Sequence, residues 1–237
     1  MSDGEPPWPW QAEPRRSPPT LAGNPEAAVA FGLADDLDGL MDLTRMIAAV
    51  IPDDIDCTAT WTVPSRGRCV LAIDLPEWKL QQTFHRLPHG LEVEFDMLVL
   101  AATSRRRGFT KRLIRNLAIA YARLRVAYIK VLANHIDGAL VWARLGAQPL
   151  DAEYERTRLL ERLVNDHETL GIAVEYLEDL YRTIERTPAP SLMRQVAAFE
   201  GEKGEPLGEM LLRNHAWQAY WDPRDPDLYN HLKDVVG

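Results

Sequence analysis

The sequence predicts an α/β fold: a mixed sheet flanked by helices, with a helical C-terminal extension. Three observations carry this. Between Leu91 and Ala147 the hydrophobic period shifts from two to about 3.6 and back, which reads as strand, basic glycine turn, helix, strand, helix. Upstream, Cys57–Val63 and Arg68–Asp74 alternate in period two around Pro64-Ser65-Arg66-Gly67, a hairpin pattern. Downstream, Ala152–His167 and Ile172–Arg186 are amphipathic helices in succession.

Taken in order, residues 1–26 are rich in Pro, Gly, Ser and charge and predict a flexible tail, with Trp8 and Trp10 as the only groups suited to docking. Ala34–Val50 predicts a helix that Asp35 or Asp36 can cap and Pro52 stops. The hairpin follows, and its two cysteines, Cys57 and Cys69, are expected to stay reduced. Glu77–Leu87 is ambiguous between a short helix and an irregular crossing. In Leu91–Ala102, Glu92, Glu94 and Asp96 alternate with Val93, Phe95 and Met97, so the acidic residues share one face of a strand. From Thr110 the apolar positions Leu113, Ile114, Leu117, Ala118, Tyr121 and Leu124 share a helical face. Val126–Leu132 is a strand and Ile136–Leu145 a helix ended by Gly146. Residues 27–150 are thus expected to form the core and 151–237 a mostly helical extension packed on it. That extension contains helices at 152–167, 172–186 and 192–199, and a strand or helix at Glu209–His215. It ends in the aromatic cluster His215, Trp217, Tyr220 and a helix at Leu228–Val236.

The 237 residues carry a formal charge of −8, with 46% hydrophobic and 26% charged residues. That balance suits a globular domain and argues against general nucleic-acid binding. No apolar run reaches the roughly 20 residues that span a bilayer, and the start of the chain has no apolar signal region, so a cytoplasmic protein without membrane contact is expected. No H-E-x-x-H, paired C-x-x-C or nucleophile elbow is present, and no metal site is expected. Against this acidic background, six basic residues fall between Arg105 and Arg115. A strand that delivers the chain to a glycine turn at a helix N-terminus presents free backbone N–H groups and the positive end of the helix dipole. That arrangement suits phosphate or pyrophosphate. On the acidic strand, Glu94 and Asp96, nearer its apolar end, are the carboxylates preferred as a general base.

Arg105-x-x-Gly108-x-Thr110 resembles the Q/R-x-x-G-x-G/A signature of the GNAT N-acetyltransferase superfamily, which likewise follows a strand and opens a helix. Asn134 and Trp142-Ala-Arg-Leu-Gly146-Ala147 are similar to the segment that follows in that family. The resemblance implies a GNAT-like core that binds acetyl-coenzyme A or another acyl-coenzyme A through Arg105, Arg106, Arg107, Gly108, Phe109, Thr110, Lys111, Arg112, Asn134 and Trp142. It implies acyl transfer to a small-molecule or peptide amine, with Glu94 or Asp96 assisting deprotonation. Two positions depart from the pattern: Thr110 replaces a small residue, and Trp142 stands where the family often has the tyrosine that protonates the thiolate. Two alternatives stay open. One is a non-catalytic interaction module of a bacterial effector, toxin or phage-associated system, reaching a protein partner through its tail or extension. The other is an acyltransferase with an aminoacyl-tRNA donor.

Overall fold

The structure is a computed structural model that describes residues 11–99, 109–133, 135–223, 225 and 231–232, the side chains of 109–111 and 135–137 excepted. The chain divides into two compact units, Met1–Ile129 with Asp222–Gly237, and Lys130–Trp221. The boundary lies within one strand, not near residue 150 as the sequence suggested.

In the first unit, β1 (Thr20–Gly23) leads to α1 (Pro25–Phe31) and α2 (Leu37–Ile47), and a hairpin follows of β2 (Thr58–Ser65) and β3 (Arg68–Asp74). Next come β4 (Lys79–Leu87), β5 (Gly90–Val99), α3 (Phe109–Arg123) and the start of β6 (Val126–Ala133). The second unit continues with α4 (His135–Arg144), β7 (Gln148–Pro149), α5 (Ala152–Leu170), α6 (Leu177–Arg186), α7 (Leu192–Ala197), α8 (Leu207–Leu212) and β8 (Trp217–Trp221). The strands form a mixed eight-stranded sheet in the order β1-β2-β3-β4-β5-β6-β8-β7, flanked by helices. β1 runs parallel to β2, while β2 to β5 are successively antiparallel.

Local chemistry explains these elements. Asn24 caps α1 by accepting from the Ala27 N–H, and Pro25 occupies its first turn, where no N–H is needed. Asp36, one of the two expected caps, accepts from the Gly39 N–H at the start of α2. Ser65 pairs with Arg68, so the hairpin turns on Arg66-Gly67 alone, with Pro64 beside a register shift. The ambiguous Glu77–Leu87 segment is a strand, β4. Its pattern is hard to read because two adjacent polar residues, Gln82 and Thr83, are both buried.

The core of the first unit lies on one face of β2–β4. Ala59, Trp61, Cys69, Leu71, Ile73, Leu80 and Phe84 are buried there. Phe84 meets Trp61 at 5.8 Å and Tyr121 of α3 edge-on at 6.3 Å. Most polar groups on this face are paired, Gln82 Nε2 being the exception among the described residues. Tyr121 donates to Gln82 Oε1 (2.5 Å), and Trp61 donates to Thr44 Oγ1 (3.2 Å), which itself donates to Leu40 O. Each large buried side chain contributes about 1.5–3 kcal/mol, so the pairing matters chiefly because an unpaired polar atom would cancel that gain.

Residues 11–26 are not the flexible tail expected from composition; Trp8 and Trp10 lie outside the described residues. Arg15 is buried. It donates from Nη1 to Cys57 Sγ (2.9 Å) and from Nη2 to the carbonyl oxygens of Pro52 (3.1 Å) and Ile55. Its own backbone exchanges bonds with Arg45: the Arg15 N–H donates to Arg45 O (3.1 Å), and Arg45 Nε donates to Arg15 O (2.8 Å). The N–H groups of Arg16 and Ser17 donate to Asp53. Desolvation raises the Asp53 carboxyl, but those two N–H groups and the charges of Arg112 and Arg15 outweigh it and hold the group below its ordinary value. Asp53 therefore favours the fold above the ordinary carboxylate range and loses that effect as pH falls through its lowered pKa. Composition misses all this because the partners are 30–42 residues away in sequence.

In the second unit, β7 pairs antiparallel with β8, Gln148 opposite Tyr220 and Pro149 opposite Ala219. The segment left open as strand or helix is α8, and the aromatic cluster after it is strand β8, where Trp217, Ala219 and Trp221 point inward. Arg156 of α5 closes the end of α6 by donating to the carbonyl oxygens of Ile184, Glu185 and Thr187. A Cβ on Gly208 would collide with the Val196 carbonyl, so glycine is what lets α8 approach α7. Of the expected helix at 228–236, the described residues show helix at 231–232.

Arg15→Ala should lower the unfolding free energy by about 2–4 kcal/mol, because it leaves buried acceptors unpaired. Urea titration read by tryptophan fluorescence measures this, and a change under about 0.5 kcal/mol removes the anchoring role. Cys57 and Cys69 are buried free thiols, each raised by burial, Cys69 to about 12. That contribution to stability is full below the ordinary value of 9.0 and declines as pH rises through the folded pKa. At pH 8 the folded protein should therefore react with a disulfide reagent about 100-fold more slowly than the urea-unfolded chain. Equal rates would contradict the burial of both thiols.

Candidate functional site

The site begins with the pairing of β4 and β5. Their register shifts between Gln81, which faces Met97, and Gln82, which faces Phe95. Asp96 is therefore an extra residue on β5, a bulge. Bulges re-aim side chains, and here Asp96 meets Thr83 and Gln81 of β4. Its Oδ2 accepts from Thr83 Oγ1 at 2.6 Å and from Gln81 Nε2 at 3.2 Å. Two residues along each strand, His85 Nε2 lies 3.3 Å from Glu94 Oε2. Gln81, Thr83 and His85 alternate with Leu80, Gln82 and Phe84 of the core, so this polar row lies on the sheet face opposite the core.

The structure thus brings Glu94 and Asp96 onto one face, as the sequence suggested, but gives them different surroundings. Asp96 is fixed by two neutral donors, whereas Glu94 is half-exposed and faces an imidazole. A carboxylate that orients a histidine in partial contact with solvent can accept a proton and pass it on. Glu92, the third acidic residue of the row, is buried opposite His85 in register. His85 and Thr83 were missed as functional residues. The signal was their period-two spacing with Gln81, masked by the buried Gln82 between them.

The expected cofactor residues divide into four groups. Arg105, Arg106, Arg107, Gly108 and Asn134 lie outside the described residues. Phe109, Thr110 and Lys111 form the first turn of α3, directly after the glycine. Arg112 directs Nε to the Glu13 carbonyl (2.7 Å) and Nη2 to that of Pro14 (2.9 Å). Beside it, Arg115 pairs with the Glu13 carboxylate at 3.3 Å. Asn116 is buried, donates to Glu13 O and accepts from the Glu13 N–H. The N-terminal segment therefore engages one edge of the basic helix, a contact between residues about a hundred apart that no local pattern announces. Trp142 is a buried residue of α4 in the second unit.

In that second unit, the aromatic cluster is held by specific bonds. Trp217 donates to Ala139 O (3.3 Å), Tyr220 donates to Gln148 Oε1 (2.6 Å), and His215 Nε2 lies 3.0 Å from Glu155 Oε2. Among the described residues, no group of three or more His, Cys, Asp and Glu is placed to hold a metal ion, and no helix is long and apolar enough to cross a membrane. No protein-family model matches the chain, and none of the curated proteins searched matches it either.

Thr83→Val keeps the shape of the side chain but removes the donor to Asp96. Its expected cost is about 1–3 kcal/mol, the range for a hydrogen bond to a charged group. Chemical unfolding of the variant measures this, and a change near zero would mean that Asp96 is not fixed by Thr83.

Proposed function

We propose that the first unit is a GNAT-type acyltransferase that moves an acetyl or acyl group from a coenzyme A thioester to an amine. One observation carries the reading. The strand that bears Glu94 and Asp96, β5, ends at Val99, and the 15-residue helix α3 begins at Phe109, with Arg105–Gly108 between them in sequence. This joins an acidic row suited to an ammonium with a helix start suited to a pyrophosphate.

The residues fit such a cofactor by their chemistry. The first N–H groups of α3 have no partner within the helix, and Arg105, Arg106, Arg107 and Lys111 are the cationic residues next to that turn in sequence. When bound, the thioester supplies an acyl carbon open to attack. The chain's own part is to place and deprotonate the amine. Asp96, held still by Thr83 and Gln81, attracts the ammonium. The Glu94–His85 pair takes its proton, leaving the lone pair free. Trp142 is buried and its indole is no acid, so a thiolate would leave without a proton from that position, which its pKa of about 8.5 permits.

A second reading is a non-catalytic interaction module. The engagement of Arg112 and Arg115 by Glu13 and Pro14 favours it, since those cations are then turned toward the chain itself.

The test is free-thiol release from acetyl-coenzyme A over a panel of amines and basic peptides. Glu94→Gln and His85→Gln should each lower turnover by about 10²–10⁴-fold, most strongly at low pH where the amine is protonated. Gly108→Glu should abolish the rise in melting temperature that acetyl-coenzyme A produces in the parent protein. No thiol release with any amine, together with no thermal shift at millimolar cofactor, would discard the enzyme reading.

A further inference from the structure

The second unit contains a cleft of about 320 Å³ that none of the foregoing uses. Three apolar side chains on its wall are more than half exposed: Leu132 (55%), Leu150 (51%) and Tyr154 (58%). Exposed apolar residues gathered around one concavity mark a surface that gains by being covered.

The polar side of the cleft is built more strictly. Glu155 is 4% exposed and His215 3%, and the two are in contact. Arg158 joins them through one nitrogen. Its Nη1 donates to both Glu155 oxygens (3.2 and 3.1 Å) and to the Ala216 carbonyl (2.8 Å), while its guanidinium carbon sits 5.5 Å from the centre of the Tyr154 ring. Arg158 lines the cleft, yet its Nε and Nη2 donate to nothing among the described residues. Those two nitrogens form one straight edge of the guanidinium, the edge that takes a carboxylate through two parallel bonds. A buried carboxylate, a carbonyl and an aromatic face hold the cation in place, so little side-chain entropy remains to be lost on binding.

We infer that this cleft binds a carboxylate carried on an apolar body. The acid meets the Nε/Nη2 edge of Arg158, and the apolar part covers Leu132, Leu150 and Tyr154. Besides Glu155, whose charge Arg158 already meets, one neighbour opposes it. Asp151 also lines the cleft, and its carboxylate caps α5 through the Tyr154 N–H. This opposition makes the sign of the ligand's charge testable. Asn is as good a helix cap as Asp, so Asp151→Asn removes the charge and keeps the helix. The claim is independent of acyl transfer.

The experiment uses the full chain and calorimetric titration with 3-phenylpropionate, 3-phenylpropanol and 3-phenylpropylamine. The acid should bind at least tenfold tighter than the alcohol or the amine. Asp151→Asn should tighten the acid about threefold or more, and Leu150→Ala or Tyr154→Ala should weaken it about fivefold. Arg158→Gln should abolish binding. If that variant fails to fold because Glu155 loses its partner, the Asp151 and Leu150 variants decide the matter, since both positions are exposed. Equal binding of acid and amine, or weaker acid binding in Asp151→Asn, would overturn the proposal. An N-acetylated dipeptide ending in phenylalanine separates the two sources of such a group. Tighter binding than the free acid assigns the site to a peptide C-terminus, and weaker binding assigns it to a small organic acid.

Discussion

A guanidinium removed from water must find acceptors for its donors inside the protein, because each one left unmet costs more than a made bond returns. Arg15 is in that position, and meeting the demand of its Nη1 and Nη2 organises the N-terminal third of the chain, while its Nε stays without a partner among the described residues. Its acceptors come from the 52–57 loop, which follows α2, and its backbone is matched to Arg45 at the end of that helix. With Arg15 fixed, Glu13 and Pro14 fall on Arg112 and Asn116 of α3. On the other side, the chain passes Asp53 and reaches β2 in register to add β1 as a parallel strand. One buried charge thus ties two helices, a loop and a sheet edge together.

The two faces of the sheet use polar groups differently. On the core face, Gln82, Tyr121, Trp61 and Thr44 are buried and pair with one another or with backbone, which fixes how α2 and α3 dock. On the opposite face, the bulge at Asp96 breaks strict alternation and gathers Gln81, Thr83, His85 and Glu94 into one row. Buried polar pairs of the first kind specify a fold. Within the row of the second kind, the partly exposed Glu94–His85 pair adds little to stability, and this is the ground for reading it as chemistry.

Much of the architecture was legible because the periods are clean. Leu113, Ile114, Leu117 and Tyr121 announce α3, and Cys69, Leu71 and Ile73 announce the inner face of β3. What escaped was of two physical kinds. Segments whose stability comes from distant partners, such as 11–23, carry no local hydrophobic signal. Segments in which a buried polar residue takes an apolar position, such as β4 with Gln82, blur the period. The candidate site shares both difficulties. Glu94 and Asp96 were found from alternation, but their partners His85 and Thr83 lay on the strand that could not be assigned. The cleft around Arg158 joins residues 132, 150–158 and 216–218, three stretches that only folding brings together.

The return of the chain from the second unit to the first has a bearing on its birth at the ribosome. Residues 222–237 belong with 1–129, so the intervening 130–221 are translated before the first unit has all of its sequence. Strand β8 likewise emerges some 68 residues after its partner β7, with four helices made in between. Local helices form within microseconds, far faster than translation, whereas these pairings must wait for the polypeptide to be delivered. The nascent protein therefore spends seconds with the edge of β7 open. In that interval α5 to α8 are complete while β7 still lacks its partner strand.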